Sequence, residues 1–216
     1  MNKYEYAFDF AVTTYCQSRC RTCPRTNNDT GEIVDWLKPT HVPFETLTKR
    51  FDSIKSLLPR SKYLHAQLCG EFGDPMMHPQ IDKIVDYLHE AEHVGTIEIN
   101  TNGGLRQPKW YEKIGDYEKL EIIFGIDGID HDTNWKYREG VDFQRAWDNM
   151  LAFKSKNNRV NWQFIIFEWN WEQIQEAKRI ADDLDIKISF IINRGYHGRL
   201  SPQNLRKVER ILNVLY

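Results

Sequence analysis

Three cysteines with close and regular spacing lie near the start of the chain. Cys16, Cys20 and Cys23 form a C-x3-C-x2-C pattern, and Cys69 is the fourth cysteine of the sequence. Thiolates are the usual ligands of iron–sulfur clusters, and a four-iron cluster normally takes four of them. Three thiolates leave one iron open, and an open coordination position is typical of a catalytic metal. The spacing therefore predicts a cluster that can bind a further ligand.

A structural zinc ion is the alternative interpretation of the same cysteines. Zinc would need a fourth ligand, for which Cys69 and His41 are candidates. The C-x3-C-x2-C spacing is unusual for zinc, and a small zinc knuckle needs no α/β domain around it. At this point the cysteines are compatible with either an iron–sulfur cluster or a zinc ion.

The composition is that of a globular protein. The 216 residues are 41% hydrophobic and 28% charged, with a formal net charge of −2. This charge provides no general attraction to nucleic acid or to an anionic membrane. Lys3, Glu5 and Asp9 interrupt the first ten residues, so no signal peptide is expected, and no segment approaches membrane-spanning length. We expect a cytoplasmic protein, in which reduced thiols are available for metal.

Strand and helix patterns alternate along the chain and must position the cysteines. Strands are predicted at 7–14, 62–68, 96–100, 120–126, 161–167 and 186–192, and helices at 43–58, 80–92, 108–114, 143–156, 171–184 and 201–215. Six strand–helix pairs predict an α/β fold with parallel strands, a partial (β/α)6 TIM-like barrel. Ligands of such sheets gather at the carboxyl ends of the strands, and the first predicted strand ends at the cysteines.

Further polar and glycine-rich segments follow the predicted strands. They are Cys69-Gly70-Glu71-Phe72-Gly73-Asp74-Pro75, Asn100-Thr101-Asn102-Gly103-Gly104, Gly125-Ile126-Asp127-Gly128 and the single residue Asn170. Taken alone, the first two segments are also compatible with ordinary turns, since glycine and Asn-Gly are common there.

Together, these segments and the Cys23-Pro24-Arg25 continuation resemble the radical S-adenosylmethionine (SAM) superfamily. The resemblance covers nearly the whole chain and implies one core domain over residues 1–216. It implies that the three cysteines are catalytic and hold a [4Fe–4S] cluster whose fourth iron is chelated by SAM. Reductive cleavage of SAM would then produce a 5′-deoxyadenosyl radical that abstracts hydrogen from a substrate.

The resemblance also assigns cofactor-binding residues. Gly70, Glu71, Gly73 and Asp74 match the segment that receives the SAM ammonium group, with Asp74 at the family's glutamate position and Glu71 as an alternative acceptor. The remaining matches are Asn100, Asn102, Asp127 and Asn170, and Arg138 occupies a position where relatives often have arginine.

Two positions depart from the family pattern. Gly125 stands where serine is usual, and Thr22 stands where many members place an aromatic residue against adenine. Phe72, Tyr15 or the end of the sixth strand are the candidates to replace that contact.

The resemblance implies an external one-electron donor of the flavodoxin or ferredoxin type. It favours a peptide or protein substrate, whereas a nucleotide or small metabolite, or a non-catalytic metal-cluster module, are the alternatives. No cysteine follows Cys69, so we expect no C-terminal auxiliary cluster.

Other conspicuous residues have competing interpretations. Arg194, His197 and Arg199 follow the sixth predicted strand and would either bind an anion or form a solvated loop. Trp162 is expected in the core by its periodicity, whereas Trp169 and Trp171 flank Asn170 and remain candidates for substrate contact. Cys69 is expected to be a buried structural cysteine, and His65 and His78 are not expected to act in catalysis.

Overall fold

The fold is an open sheet of six parallel strands. The structure is a computed structural model that describes residues 4–58 and 63–215. The strands are β1 (Tyr4–Asp9), β2 (Tyr63–Leu68), β3 (Val94–Thr101), β4 (Leu120–Gly125), β5 (Val160–Ile166) and β6 (Lys187–Ile192). They lie in the order β1-β2-β3-β4-β5-β6, and every neighbouring pair is parallel. The predicted partial TIM-like barrel is confirmed.

Helices connect the strands as the alternating pattern predicts. They are α1 (Phe44–Leu57), α2 (Ile81–Glu90), α3 (Pro108–Ile114), α4 (His131–Trp135), α5 (Phe143–Lys154), α6 (Ile174–Asp183) and α7 (Pro202–Leu215). The short helix α4 was not predicted; Asp130 caps it by accepting a hydrogen bond from the Thr133 amide at 2.7 Å. Across residues 4–58 and 63–215, no helix has the length and apolar character needed to cross a membrane.

The alternation of side chains in β5 separates the core from the concave face. Trp162, Phe164 and Ile166 are fully buried, and the Trp162 indole donates to the Ile126 carbonyl at 2.7 Å. Trp162 is therefore a core residue, as its periodicity predicted. Gln163 and Ile165, between them in sequence, line the cavity on the concave face.

The first strand differs from its prediction. We expected it to span 7–14 and to run directly into the cysteines, but β1 ends at Asp9. Beyond that point the backbone pairs with a returning loop: Val42 donates to the Val12 carbonyl and Thr14 donates to the Thr40 carbonyl, both at 2.9 Å. The prediction was wrong at this end because the backbone groups of Val12 and Thr14 form their hydrogen bonds with this loop instead of with a neighbouring strand. The predicted start of the second strand, Lys62, lies outside the described residues.

Candidate active site

A cavity of about 280 Å³ opens at the carboxyl ends of the strands, close to the lower size limit of ordinary ligand pockets. It brings together most of the site residues predicted from the sequence. These are Cys16, Cys20, Cys23, Gly70, Glu71, Gly73, Asp74, Asn100 and Asn102. Asp127 and Asn170 are not among its lining residues.

The cysteine side chains are sheltered from solvent, with Cys20 buried and Cys16 and Cys23 half-buried. Burial raises the pKa of Cys16 to about 12, and burial also raises the pKa of Cys23. Arg25 is buried beside them, and its Nη1 donates to the Cys16 carbonyl at 3.4 Å. Its Nε is buried without a hydrogen-bond partner. Because metal coordination deprotonates thiols, a metal–thiolate group would place negative charge next to this cation. The residues therefore fit an iron–sulfur cluster.

The residues proposed to complete a zinc site are engaged elsewhere. The His41 Nδ1 is 2.8 Å from the Thr13 hydroxyl, and the Cys69 sulfur accepts a hydrogen bond from Asn100 at 3.2 Å. Within 4–58 and 63–215, no three His, Cys, Asp or Glu side chains are grouped so that they could hold one metal ion. A zinc ion needs donors that converge on one point, whereas a cluster distributes its thiolates over separate irons. Neither His41 nor Cys69 joins the three cysteines in such a group within the described residues.

The segment after β2 has two positions that require glycine. A Cβ at Gly70 would overlap the Gly73 carbonyl oxygen, and a Cβ at Gly73 would overlap the Thr13 carbonyl oxygen. The backbone consequently folds back on itself and lies directly against the start of the cysteine loop. This close approach brings both glycines and Glu71 to the cavity wall.

The two acidic residues of this segment have different environments. Asp74 is 3% exposed, and its carboxylate accepts hydrogen bonds from the amides of Met76 and Asn102 and from the Thr101 hydroxyl. Glu71 lines the cavity with an exposed side chain. Asp74 therefore joins the ends of β2 and β3, and Glu71 is the better placed acceptor for a ligand.

Asn102 connects β3 to the cysteine loop. Its side-chain oxygen Oδ1 accepts a hydrogen bond from the Gln17 side chain at 2.7 Å, and its side-chain nitrogen Nδ2 lies 3.7 Å from the Cys16 sulfur. Asn100 donates to the Cys69 sulfur and to Glu98. Both asparagines thus reach the cavity while holding neighbouring segments in place.

Asp127 acts on the cavity through Arg138. Its carboxylate is fully buried and accepts from the Arg138 Nε at 2.6 Å and from the Ile165 amide at 2.6 Å. The Arg138 guanidinium lines the cavity, with Nη1 at 4.0 Å from the Cys20 sulfur. Burial opposes its charge, but Asp127 raises the pKa of Arg138 well above its ordinary value. Asp127 thus holds the Arg138 guanidinium close to Cys20.

Gly125 provides the space that this arginine occupies. A Cβ at Gly125 would overlap the Arg138 Nη2. The departure from the family's serine is therefore linked to the position of the guanidinium.

Asn170 stabilises the end of β5. Its side chain accepts from the Phe167 amide at 2.6 Å and donates to the carbonyls of Asp127 and Ile165. It is 1% exposed. These bonds join the segments that follow β4 and β5.

Several lining residues were missed in the sequence, namely Ser18, Ile123, Tyr137, Gln163 and Ile165. Gln163 had a recognisable pattern: it is a polar residue between the buried aromatic residues Trp162 and Phe164 of β5. Thr22 also lines the cavity and donates to the Tyr137 hydroxyl at 3.0 Å.

The candidates for adenine contact and anion binding do not line this cavity. Phe72 contacts Trp36 edge-on, and Tyr15 stacks on His41. Arg194, His197 and Arg199 are likewise outside its lining.

The comparisons with known proteins agree with this geometry. A family model described as the radical SAM superfamily matches residues 10–194. No curated protein sequence matches the chain.

Solved structures with the same fold include Streptococcus suis SuiB bound to precursor peptide SuiA, with TM-score 0.74 and 15% identity. They also include anSMEcpe with bound AdoMet, with TM-score 0.77 and 15% identity, and methylornithine synthase PylB, with TM-score 0.63 and 16% identity. Each match covers 98% of this chain but only 46%, 57% and 63% of the respective solved chains, so the chain spans about half to two thirds of their length. The chain belongs to the radical SAM superfamily.

Proposed function

We propose that Cys16, Cys20 and Cys23 hold a [4Fe–4S] cluster and that the adjoining cavity binds SAM for radical chemistry on a peptide or protein. The observation that carries this proposal is that the three cysteines and the Gly70–Asp74 segment line one cavity. An external one-electron donor completes the system.

The cavity offers complementary groups for both ends of an amino acid moiety. Glu71 and the backbone of the glycine segment provide acceptors for an ammonium group, and Arg138 provides a guanidinium for a carboxylate. When bound, the cluster and SAM supply reductive cleavage to methionine and a 5′-deoxyadenosyl radical that abstracts hydrogen.

Neighbouring structures support a peptide or protein substrate. SuiB was solved with precursor peptide SuiA, and anSMEcpe was solved with AdoMet and the Cp18Cys peptide. A nucleotide or small metabolite is the alternative substrate class.

Anaerobic reconstitution tests the chemistry. The protein is loaded with iron and sulfide and incubated with SAM and excess dithionite, and 5′-deoxyadenosine is measured by chromatography. We expect the wild type to form it and Cys20→Ala to lose it. Cys69→Ala is the matched control, since Cys69 does not line the cavity, and should remain active. A cluster-replete wild type without 5′-deoxyadenosine would contradict the proposal.

Candidate substrates are then compared by isotope transfer. Deuterium should appear in 5′-deoxyadenosine only when the hydrogen donor carries it. Transfer from a deuterated nucleotide, and from none of a panel of deuterated peptides, would replace the peptide assignment.

A further inference from the structure

Basic residues are concentrated around the cluster cysteines. Residues 15–25 and 193–200 together carry Arg19, Arg21, Arg25, Arg194, His197 and Arg199, and neither segment contains Asp or Glu. The whole chain has an acidic excess, with 31 Asp and Glu against 29 Lys and Arg. We call the exposed residues Arg194, His197 and Arg199 the cluster-side basic surface. The exposed acid Glu168 adjoins this surface, with its carboxylate accepting from the Ser201 amide at 2.7 Å, so the surface has a local excess of basic groups beside one acid.

The two basic segments are in direct contact. A Cβ at Gly195 would lie 2.7 Å from the Thr22 Cγ2, so the loop after β6 approaches the cysteine loop with backbone rather than side chain. Asn193 holds this loop by donating to the His197 carbonyl at 2.8 Å and accepting from the Gly195 amide at 2.9 Å. The loop that carries the surface therefore packs directly on the cysteine loop.

An aromatic stack continues from this surface to the cysteines. The Trp169 ring is 5.3 Å from the His197 ring and is stacked on Phe167 at 4.6 Å with an interplanar angle of 5°. Phe167 packs with Cys20, and Trp169 and Cys23 lie against the same cluster of side chains. The stack thus connects an exposed histidine to two of the three metal-binding thiols.

Gly198 allows the loop backbone to rest on the tryptophan. A Cβ at Gly198 would overlap the Trp169 ring, and the residue has φ +66°. The Gly198 carbonyl accepts from the Glu168 amide at 2.9 Å, which fixes the contact. A partner docked on the surface would therefore lie over this backbone and the indole ring, which packs against the side-chain cluster that contains Cys20 and Phe167.

The position of the surface fits an electron donor better than a substrate. A substrate has to reach the cavity. Arg194 lines the groove along β6, which shares Thr22 and Ile165 with the cavity, whereas His197 and Arg199 line neither. An electron donor needs only to come close to the cluster and does not have to enter the cavity. Complexes between electron-transfer proteins bury small interfaces and are guided by complementary charge.

We propose that the cluster-side basic surface docks an acidic one-electron donor protein, and that Trp169 and Phe167 form the contact path to the cluster. The step moves one electron: the donor is oxidised by one electron, the cluster is reduced by one, and no atom or proton is exchanged. This inference rests on the proposed function, because it requires a cluster on the three cysteines.

Stopped-flow reduction of the cluster by flavodoxin hydroquinone, and separately by a reduced [2Fe–2S] ferredoxin, tests the proposal. Arg199→Glu in the reconstituted protein should slow reduction by about tenfold at low salt, with the difference from wild type shrinking as the Debye length falls to ~8 Å at physiological ionic strength. Lys113→Glu is the matched control. It causes the same change in charge at an exposed position near the C-terminal end of α3, away from the carboxyl ends of the strands, and should leave the rate unchanged.

A second variant tests the path rather than the docking. Trp169→Leu should slow reduction several-fold while leaving its salt dependence as in the wild type. Cluster content and 5′-deoxyadenosine formed with excess dithionite are measured for every variant and should not change. Loss of these in the wild type would count against the proposed function instead.

The proposal is overturned if Arg199→Glu and Lys113→Glu reduce at the same rate with both donors. It is also overturned if Arg199→Glu weakens binding of a glutamate-rich peptide while donor reduction is unaffected, since the surface would then serve a substrate.

Discussion

Two buried aspartates each follow a strand of the sheet but have different hydrogen-bond partners. Asp74 follows β2 and is bonded to neutral donors, namely a hydroxyl and two amides. Asp127 follows β4 and is paired with the Arg138 guanidinium, which reaches the cavity. The first network closes the backbone between two strands. The second also holds a positive charge beside Cys20, at the cost of burying an ion pair.

The difference shows that a buried aspartate after a strand can either stabilise the backbone or position a charged side chain in the cavity. A carboxylate satisfied by amides can be replaced by a neutral acceptor with a modest loss, whereas a buried ion pair depends on both charges. Substitutions within the two networks, and one at Glu71 outside them, test this difference, and all can be measured by urea unfolding under identical anaerobic conditions.

Removal of Arg138 is expected to have the largest effect. Arg138→Met leaves Asp127 buried and unpaired, which should lower the free energy of unfolding by about 3–5 kcal/mol. Adding Asp127→Asn should recover part of this loss. An additive double mutant would show that the pair is not coupled.

The loss in Arg138→Met should also depend on pH. Burial raises the pKa of the Asp127 carboxyl above its ordinary value, and Arg138 opposes that shift. Without the arginine, a carboxyl with a raised folded pKa stabilises the fold at low pH and loses this contribution as pH rises. The deficit relative to wild type should shrink on acidification towards pH ~4, and a deficit independent of pH would contradict this.

Replacement of Asp74 should have a smaller effect. Asp74→Asn keeps the shape but turns one acceptor into a donor facing the Thr101 hydroxyl and the Asn102 amide, with an expected loss of about 1–3 kcal/mol. Thr101→Val provides the comparison, because it removes one donor to the carboxylate. A loss equal to that of Arg138→Met would remove the distinction between the two networks.

A side chain at position 125 should act only through the arginine. Gly125→Ala overlaps the Arg138 Nη2 and should lower the free energy of unfolding by about 1–2 kcal/mol. In the Arg138→Met background the same change should have little effect. A full loss in both backgrounds would show that other contacts exclude the methyl group.

Glu71 should have the smallest effect on stability. Its exposed side chain predicts a change within about 0.5 kcal/mol for Glu71→Gln. Binding of SAM to the reconstituted protein, measured by equilibrium dialysis, should nevertheless weaken several-fold. Unchanged SAM binding would show that Glu71 does not accept the SAM ammonium group, and the backbone of the glycine segment would be the remaining acceptor.

The sequence determined the architecture because its patterns are local. Alternating apolar residues and helical periodicity identified all six strands, and the cysteine spacing predicted the metal ligands. The end of β1 was mistaken because β-propensity does not specify the partner of a backbone, and residues 12–14 found theirs in the returning loop.

The roles of individual acidic residues were decided only by the tertiary structure. Asp74 and Asp127 resemble ligand-binding residues in sequence, yet burial and neighbouring donors engage both within the protein. Arg138 lies 11 residues beyond Asp127 and reaches Cys20 from 118 residues away. The composition and spacing could name the chemistry, but the direction of each polar side chain depends on which distant segment satisfies it, and that is a property of the packed fold.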